Sequence, residues 1–252
     1  MTRNVLMIAF YYPPMTGSSG VQRTLKFSRY LREFGWHPTI VSAHPRVYMQ
    51  TSDDLLADVP PDVSVKRAFC LDTAKHLSVA GRYPRFLAWP DRWISWWLGA
   101  VPSALAAVRR LKPDILWSTY PIATAHLVGL TVHKATRLPW VADFRDPMYD
   151  EDYPVDANVR RMYRWIDKRA AENAQRSVFT TPGTLRTYAE RYPAVDAERW
   201  VCIPNGFDDE DMARVRAQCG DSRPSAGVVR LLHSGVIYPE ERDPTQLFSM
   251  FL

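Results

Sequence analysis

The chain has 252 residues, of which 46% are hydrophobic and 23% are charged. This balance is that of a folded globular protein, and it excludes a disordered or collagen-like chain. The formal charge of +5 favours anionic partners, but the sequence has no recognisable nucleic-acid-binding module, so we expect no nucleic-acid partner.

The cysteines and the apolar runs indicate the compartment. Cys70, Cys202 and Cys219 are far apart and are not in CxxC spacing, so we expect neither a disulfide framework nor a zinc site, and a cytoplasmic location. The first apolar run meets Tyr-Tyr-Pro-Pro rather than a cleavage site, which indicates a strand and not a signal peptide. No run reaches the roughly 18 apolar residues of a membrane span.

Apolar strand-like runs alternate with helical patterns along the chain. The predicted strands cover residues 4–10, 37–43, 63–69, 114–119, 139–143, 177–180 and 200–204. The predicted helices cover residues 21–34, 94–111, 123–136 and 155–174, and another follows Pro182. Because each strand is apolar throughout, we predict a parallel sheet covered on both faces, which is a doubly wound, Rossmann-like α/β fold.

The composition changes after residue 208. Residues 209–227 are polar and small and predict a surface linker, which separates a first domain (1–208) from residues 228–252. A strand over 228–234, a turn at Gly235 and a helix start near Pro244 repeat the plan of the N-terminus. One strand and two helical turns cannot bury a face by themselves, so we expect 228–252 to be the truncated start of a second Rossmann-like domain.

Ligands of doubly wound sheets bind beyond the carboxyl ends of the strands. Four loops follow predicted strands in this way, at residues 17–20, 120–121, 143–146 and 205–206. We therefore predict that these loops meet in a single cleft. The helix over 21–34, which follows the first loop, has apolar residues on one half and polar residues, including Arg23, on the other.

The first loop, Gly17-Ser18-Ser19-Gly20, joins a strand to a helix. The unpaired N–H groups and the dipole of a helix N-terminus attract anions. The loop lacks the three-glycine dinucleotide pattern, which disfavours a nicotinamide enzyme. Two alternatives stay open, a phosphate or sugar contact and a plain turn in which Gly17 takes a positive φ.

The third loop carries two carboxylates around a guanidinium, Asp143, Arg145 and Asp146. One carboxylate could accept hydrogen bonds from sugar hydroxyls or assist proton transfer, while Arg145 orients it or meets a phosphate. The alternative is an ion-pair cluster that holds the loop.

Four of the nine tryptophans lie close together among arginines. Indole rings with interleaved cations suit a membrane interface, and the alternative is that the rings pack the outer layer of the sheet. The predicted membrane or acceptor surface consists of Arg85, Trp89, Arg92, Trp93, Trp96 and Trp97.

An ordered set of motifs spans essentially the whole chain. It comprises Tyr11-Tyr-Pro-Pro14, Gly17–Gly20, Asp143–Asp146, Ile203-Pro-Asn-Gly-Phe-Asp208 and the segment His233–Pro244 with Gly235, Tyr238 and Arg242. This set resembles the family 4 glycosyltransferases of GT-B fold. The resemblance implies two Rossmann-like domains that face each other across a cleft, the first for the acceptor and the second for the nucleotide-sugar donor.

The resemblance also implies roles for residues. It places Asp143 and Asp146 near the transferred sugar as catalytic residues. It assigns donor or substrate binding to Gly17, Ser18, Ser19, Gly20, Arg145, Asn205, Gly235 and Arg242. It implies a retaining, metal-independent enzyme with no cofactor beyond the nucleotide-sugar co-substrate.

The expected partners are a nucleotide-sugar, a lipid-linked or polysaccharide acceptor of envelope or exopolysaccharide synthesis, and an anionic membrane at its cytoplasmic face. Most of the donor domain would lie beyond Leu252, so we expect little or no transfer by this chain alone. Two other functions stay open. One is a non-catalytic glycan- or membrane-binding module, or one half of a split enzyme; the other is a related sugar-phosphate enzyme such as an epimerase.

Overall fold

A computed structural model of the chain describes residues 3–18, 20–219, 227, 229, 231–233 and 243–250. The chain divides into two compact units, Met1–Asn205 and Gly206–Leu252. The domain limits at 208 and 227 stay predictions.

Among the described residues, seven parallel strands form one sheet in the first unit. They are β1 (Arg3–Ile8), β2 (Trp36–Ala43), β3 (Ser64–Ala68), β4 (Ile115–Thr119), β5 (Trp140–Arg145), β6 (Arg176–Phe179) and β7 (Trp200–Cys202). Their spatial order is β3-β2-β1-β4-β5-β6-β7, so the order reverses between β1 and β4. This arrangement confirms the predicted doubly wound, Rossmann-like fold.

The helices of the first unit connect successive strands. They are α1 (Gly20–Tyr30), α2 (Thr73–His76), α3 (Trp96–Leu111), α4 (Ala123–Thr136), α5 (Ala157–Asn173) and α6 (Pro182–Arg191). A 3₁₀ turn over Leu31–Phe34 continues α1 and ends at Gly35, whose φ of 76° is the left-handed conformation common after helices. The short helix α2 is not predicted from the sequence.

The core lies on both faces of the sheet because successive strand residues point to opposite sides. On β1, Leu6 and Ile8 belong to one buried cluster, and Val5 and Met7 belong to the other. Apolar strands buried on both faces are what the sequence pattern predicts.

The second unit contains α7 (Asp209–Cys219), which lies within the predicted linker, and α8 (Thr245–Ser249), which follows Pro244 as predicted. The strand predicted over 228–234 is wrong for its described residues, because Val229 and 231–233 are exposed and belong to no strand. A strand needs a neighbour for its backbone hydrogen bonds, and no described strand pairs with this stretch. The predicted turn at Gly235 lies outside the described residues.

A helix that crosses a bilayer needs about 20 mostly apolar residues, and α5, the longest of the described helices, has 17 residues. None of them is both long and apolar enough to cross a membrane.

Candidate functional site

Two arginines join the loops at the carboxyl edge of the sheet. Arg145 Nη1 donates to the carbonyl oxygens of Gly20 at 3.4 Å and Tyr120 at 3.3 Å. Arg23 Nη1 donates to Asn205 Oδ1 at 3.2 Å. The prediction that these loops meet at one edge is confirmed for Gly20, Tyr120, Arg145 and Asn205.

Arg23 also forms a buried ion pair with Asp143. Its Nε donates to Asp143 Oδ2 at 3.0 Å and its Nη2 donates to Oδ1 at 3.0 Å. Arg23 is 8% exposed and Asp143 is 0% exposed. The placement of Arg23 on the polar half of α1 therefore does not make it a solvent-facing residue. A carboxylate buried at the end of β5 needs a paired cation, and the first turn of α1 supplies it.

The remaining acceptor capacity of Asp143 is used by Thr119. Its Oγ1 donates to Asp143 Oδ2 at 2.9 Å. Because both carboxylate oxygens have donors and the side chain is fully buried, a ligand in the cleft has no access to them in this arrangement. Asp143 therefore positions Arg23, and through it the segment after β7.

Asp146, the second predicted catalytic carboxylate, is exposed. Its Oδ1 accepts a 3.4 Å hydrogen bond from Thr180 Oγ1. The structure thus separates the two predicted carboxylates into a buried one and one that faces solvent.

The backbone between them has an unusual conformation. Arg145 has a φ of 66°, a left-handed value that is unfavourable for a residue with a side chain, and the β5–β6 register shifts between Asp143 and Arg145. Thr180 stabilises this bend by donating to the Arg145 carbonyl oxygen from N at 3.0 Å and from Oγ1 at 2.9 Å. Burial lowers the pKa of the Arg145 guanidinium, which lies against the glycine loop.

Gly17 in the glycine loop has a positive φ of 79°, which is the conformation named in the plain-turn alternative. Ser18 Oγ accepts from the Gly20 N–H at 3.2 Å, at the start of α1. A Cβ on Gly20 would lie 3.1 Å from the Tyr11 ring, so a side chain here would have to displace that ring by a few tenths of an ångström, whereas its distance of 3.6 Å to Arg145 Nη1 would be an ordinary contact. Ser19, Gly235 and Arg242 lie outside the described residues.

A cavity of about 260 Å³ adjoins this loop. This volume is slightly below the range of roughly 300–1,000 Å³ that is usual for small-molecule sites. Burial raises the pKa of Tyr11 to about 12, so its hydroxyl stays protonated at neutral pH. The lining residues are Phe10, Tyr11, Met15–Ser18, Val47–Gln50 and Trp93.

The clustered tryptophans mostly pack inside the domain. Trp96 is 0% exposed, so its assignment to a membrane surface is wrong. Trp93 is half-buried and lines the cavity, and Trp97 Nε1 donates to Thr131 Oγ1 at 3.0 Å. Trp89 is also half-buried. The large ring area favours burial over solvent, which is the alternative that the sequence left open.

The arginines of that cluster have carboxylate partners. Arg92 Nε donates to Asp72 Oδ1 at 2.7 Å, and the exposed Arg85 lies 3.5 Å from Asp156. Among the described residues, no group of three or more His, Cys, Asp or Glu side chains could hold a metal ion. The expectation of a metal-independent enzyme stays a prediction.

Sequence reasoning missed Arg23 and Thr119 as members of the site. Arg23 lies 120 positions from Asp143, so no local spacing connects them. The available signal was an arginine one turn after the glycine loop, together with an acidic residue at the end of an apolar strand.

The chain matches the glycosyl transferase 4-like domain family over residues 19–206, and it belongs to that family. No curated protein sequence matches it. Its fold is that of the N-terminal domain of GT-B glycosyltransferases.

Solved structures with this fold include sucrose-phosphate synthase from Thermosynechococcus elongatus, with 16% identity, a TM-score of 0.57, and coverage of 86% of this chain and 52% of that one. UGT2 of Phytolacca americana, complexed with UDP-2-fluoroglucose and pterostilbene, has 14% identity and a TM-score of 0.55. The match covers 95% of this chain and 62% of UGT2. HepE of Anabaena, in complex with UDP-glucose, has 13% identity and a TM-score of 0.51. The match covers 86% of this chain and 50% of HepE. The chain thus spans between half and about three fifths of the length of these structures.

Proposed function

We propose that this chain supplies the acceptor side of a glycosyltransferase that moves a sugar from a nucleotide-sugar to a lipid-linked or polysaccharide acceptor. Membership of the glycosyl transferase 4-like family supports a glycosyl-transfer role. The observation that carries the proposal is the joining of the loops after β1, β4, β5 and β7 at one edge by Arg23 and Arg145. This is where doubly wound domains bind ligands.

The cavity beside the glycine loop supports the acceptor class. Tyr11, Tyr48 and Trp93 give it aromatic walls, which suit the apolar faces of sugar rings or an apolar group linked to the sugar. Met49, at 81% exposure, extends apolar surface from the cavity lining. An acceptor with a lipid tail, used at the cytoplasmic face of a membrane in envelope or exopolysaccharide synthesis, fits these surfaces.

The carboxylates take different roles in this proposal. Asp146, which is exposed, accepts a hydrogen bond from a sugar hydroxyl or assists its deprotonation. Asp143 positions Arg23 and does not contact the sugar. Gly17–Gly20, Arg145 and Asn205 face the donor, and Gly235 and Arg242 are assigned to it by the family resemblance alone.

The test is transfer of radiolabelled sugar from a panel of nucleotide-sugars to a membrane lipid extract. The protein is assayed alone and fused to a nucleotide-binding Rossmann-like domain. We expect Asp146→Asn to lower the transfer rate roughly a hundredfold, because proton-transfer groups contribute about 10²–10⁴-fold. Asp152→Asn, at another exposed acidic residue nearby, is the matched control and is expected to leave the rate unchanged.

An Asp146→Asn protein that transfers at the normal rate would remove Asp146 from the mechanism. If neither the protein alone nor the fusion protein transfers sugar from any nucleotide-sugar of the panel, the transferase proposal itself is contradicted.

The enclosure of Asp143 favours a second candidate, a non-catalytic glycan- or membrane-binding module, or one half of a split enzyme. In that case a predicted catalytic carboxylate serves only to hold loops together. Saturable binding of a lipid-linked glycan without any transfer would support the binding module. Co-purification of a separately encoded donor domain would support the split enzyme.

A further inference from the structure

The positive charge of the protein is concentrated in one stretch of sequence. Residues 63–113 contain nine lysines and arginines but only two acidic residues, whereas the rest of the chain has 23 basic and 25 acidic residues. Both acidic residues of the stretch, Asp72 and Asp91, are buried. The Asp72 carboxylate accepts a hydrogen bond from Arg92, and the Asp91 carboxylate accepts hydrogen bonds from the N–H and the hydroxyl of Thr124.

Within this stretch, residues 69–99 form a lobe that is held to itself by hydrogen bonds. Ser95 Oγ accepts from the Leu71 N–H at 2.8 Å, and Thr73 Oγ1 donates to the Leu87 carbonyl oxygen at 2.8 Å. Val79 and Arg82 exchange backbone hydrogen bonds at 2.9 and 3.0 Å. We call this segment the 69–99 lobe. Its backbone contacts bring its two ends together, since a Cβ on Gly99 would lie 2.4 Å from the Phe69 carbonyl oxygen.

The lobe exposes large apolar side chains. They are Phe69 (48% exposed), Leu77 (40%), Val79 (81%), Phe86 (62%) and Leu98 (64%). A short segment with this much exposed apolar surface is a candidate contact with a partner or a membrane.

Basic side chains accompany these apolar ones. The Arg46 guanidinium lies 5.0 Å from the centre of the Phe69 ring, and Lys75, Arg82 and Arg85 are exposed on the lobe. The ion pair of Arg85 with Asp156 is at the surface, where such pairs are weak.

We propose that the 69–99 lobe binds the surface of an anionic bilayer. Apolar side chains of this kind enter the interface between headgroups and acyl chains, while lysines and arginines meet anionic headgroups. Trp93, which belongs to the same lobe, lines the cavity beside the glycine loop, so a docked lobe would place that cavity next to the membrane. The inference rests on the proposed membrane location but not on sugar transfer.

The test is co-sedimentation of the full chain with vesicles of phosphatidylcholine, with and without phosphatidylglycerol, in the absence of any nucleotide-sugar. We expect binding to the anionic vesicles only, and binding that weakens as salt is added. We expect the double variant Lys75→Glu/Arg82→Glu to lower the partition coefficient at least about tenfold, because each basic residue near an anionic surface contributes substantially to the free energy of membrane binding. Phe86→Ser is expected to weaken binding while leaving its salt dependence unchanged.

Lys134→Glu/Arg186→Glu is the matched control, with the same change of charge at exposed positions outside the lobe. It should bind anionic vesicles nearly as the unchanged protein does. Equal binding to neutral and anionic vesicles, equal loss in the control variant, or no vesicle binding at all would overturn the proposal. Circular dichroism of each variant establishes that it is folded, and a transfer assay reports on the proposed enzymatic function separately.

Discussion

The ion pair between Arg23 and Asp143 is the most enclosed charged contact of the candidate site. Besides the carboxylate, the guanidinium reaches the carbonyl oxygens of Ile203 at 3.1 Å and Pro204 at 3.4 Å. One side chain of α1 therefore holds the end of β5 and the residues after β7. Removing it would leave the buried Asp143 carboxylate without its ion-pair partner, and that is far more costly than losing a surface pair.

We expect Arg23→Ala to lower the free energy of unfolding by about 3–5 kcal/mol, the usual cost of breaking a buried pair from one side. Denaturant unfolding measures this change. Gln22→Ala, at the exposed neighbouring position, should change it by less than about 0.5 kcal/mol. In the double variant Arg23→Leu/Asp143→Leu the loss should be smaller than in Arg23→Ala. Equal stabilities of the Arg23→Ala and Gln22→Ala proteins would disprove the structural role.

At the scale of single residues, the sequence predicts the position of some site residues and not of others. Position after a strand was enough to bring Asp143, Arg145 and Asn205 to one edge. Whether a carboxylate is buried or exposed depends on side chains that are distant in the sequence. No local sequence pattern therefore distinguishes the buried Asp143 from the exposed Asp146. Trp96 shows the same limit, because a ring among arginines looks the same in the sequence whether it faces a core or a membrane.

Between α5 and α6 a buried carboxylate holds two helices together. Asp167 accepts hydrogen bonds from the hydroxyls of Tyr188 and Tyr192, and Arg191 Nη1 lies 3.7 Å from its Oδ2. Burial raises the pKa of Asp167 from 3.8 to about 6, although these partners oppose the change. The folded protein therefore holds this proton more tightly than the unfolded chain does.

This pKa predicts a specific pH dependence of stability. The contribution of Asp167 is fully present below about pH 3.8 and is lost as the pH rises through about 6. At about 1.4 kcal/mol per unit of pKa, the contribution reaches about 3 kcal/mol. Unfolding measured from pH 4 to 7 on the wild type and on Asp167→Asn should give a difference that shrinks as the pH rises. A difference independent of pH would contradict the raised pKa.

The element boundaries show what local patterns can predict. Helix α4 is predicted at its observed bounds, yet its N-cap residue, Ile122, has no capping side chain. The cap comes from Asp91, whose Oδ2 accepts from the Thr124 N–H at 2.9 Å. Periodicity and the flanking strands define this helix, while the group that stabilises its start lies 33 residues away.

At the scale of the whole molecule, every buried core residue that the structure describes lies before Asn205, and Trp200 is the last of them. The strand–helix alternation predicts the sheet class correctly because it depends only on local patterns. Val229 and residues 231–233, the described part of the strand predicted over 228–234, show the opposite case, in which an apolar run has no neighbouring strand among the described residues.

We expect limited trypsin digestion to leave an N-terminal fragment that ends after residue 208, because the described residues beyond Asn205 are all exposed or half-buried. Mass spectrometry of the fragment locates the cut. Lys75 and Arg82 provide an internal comparison, since they are exposed but lie in the hydrogen-bonded 69–99 lobe, and cleavage there should be slower. Early cleavage within 69–99 would contradict a firmly folded lobe.

The uneven charge of residues 63–113 has a consequence for encounters in solution. This stretch includes β3, at one edge of the sheet, and α3, which packs beside it. In the first unit, this stretch has an excess of seven positive charges, whereas the other residues have an excess of only one, so the charge of the unit is unevenly distributed. A negatively charged surface would exert a torque on it before contact, so collisions would be pre-oriented and faster at low ionic strength than at high.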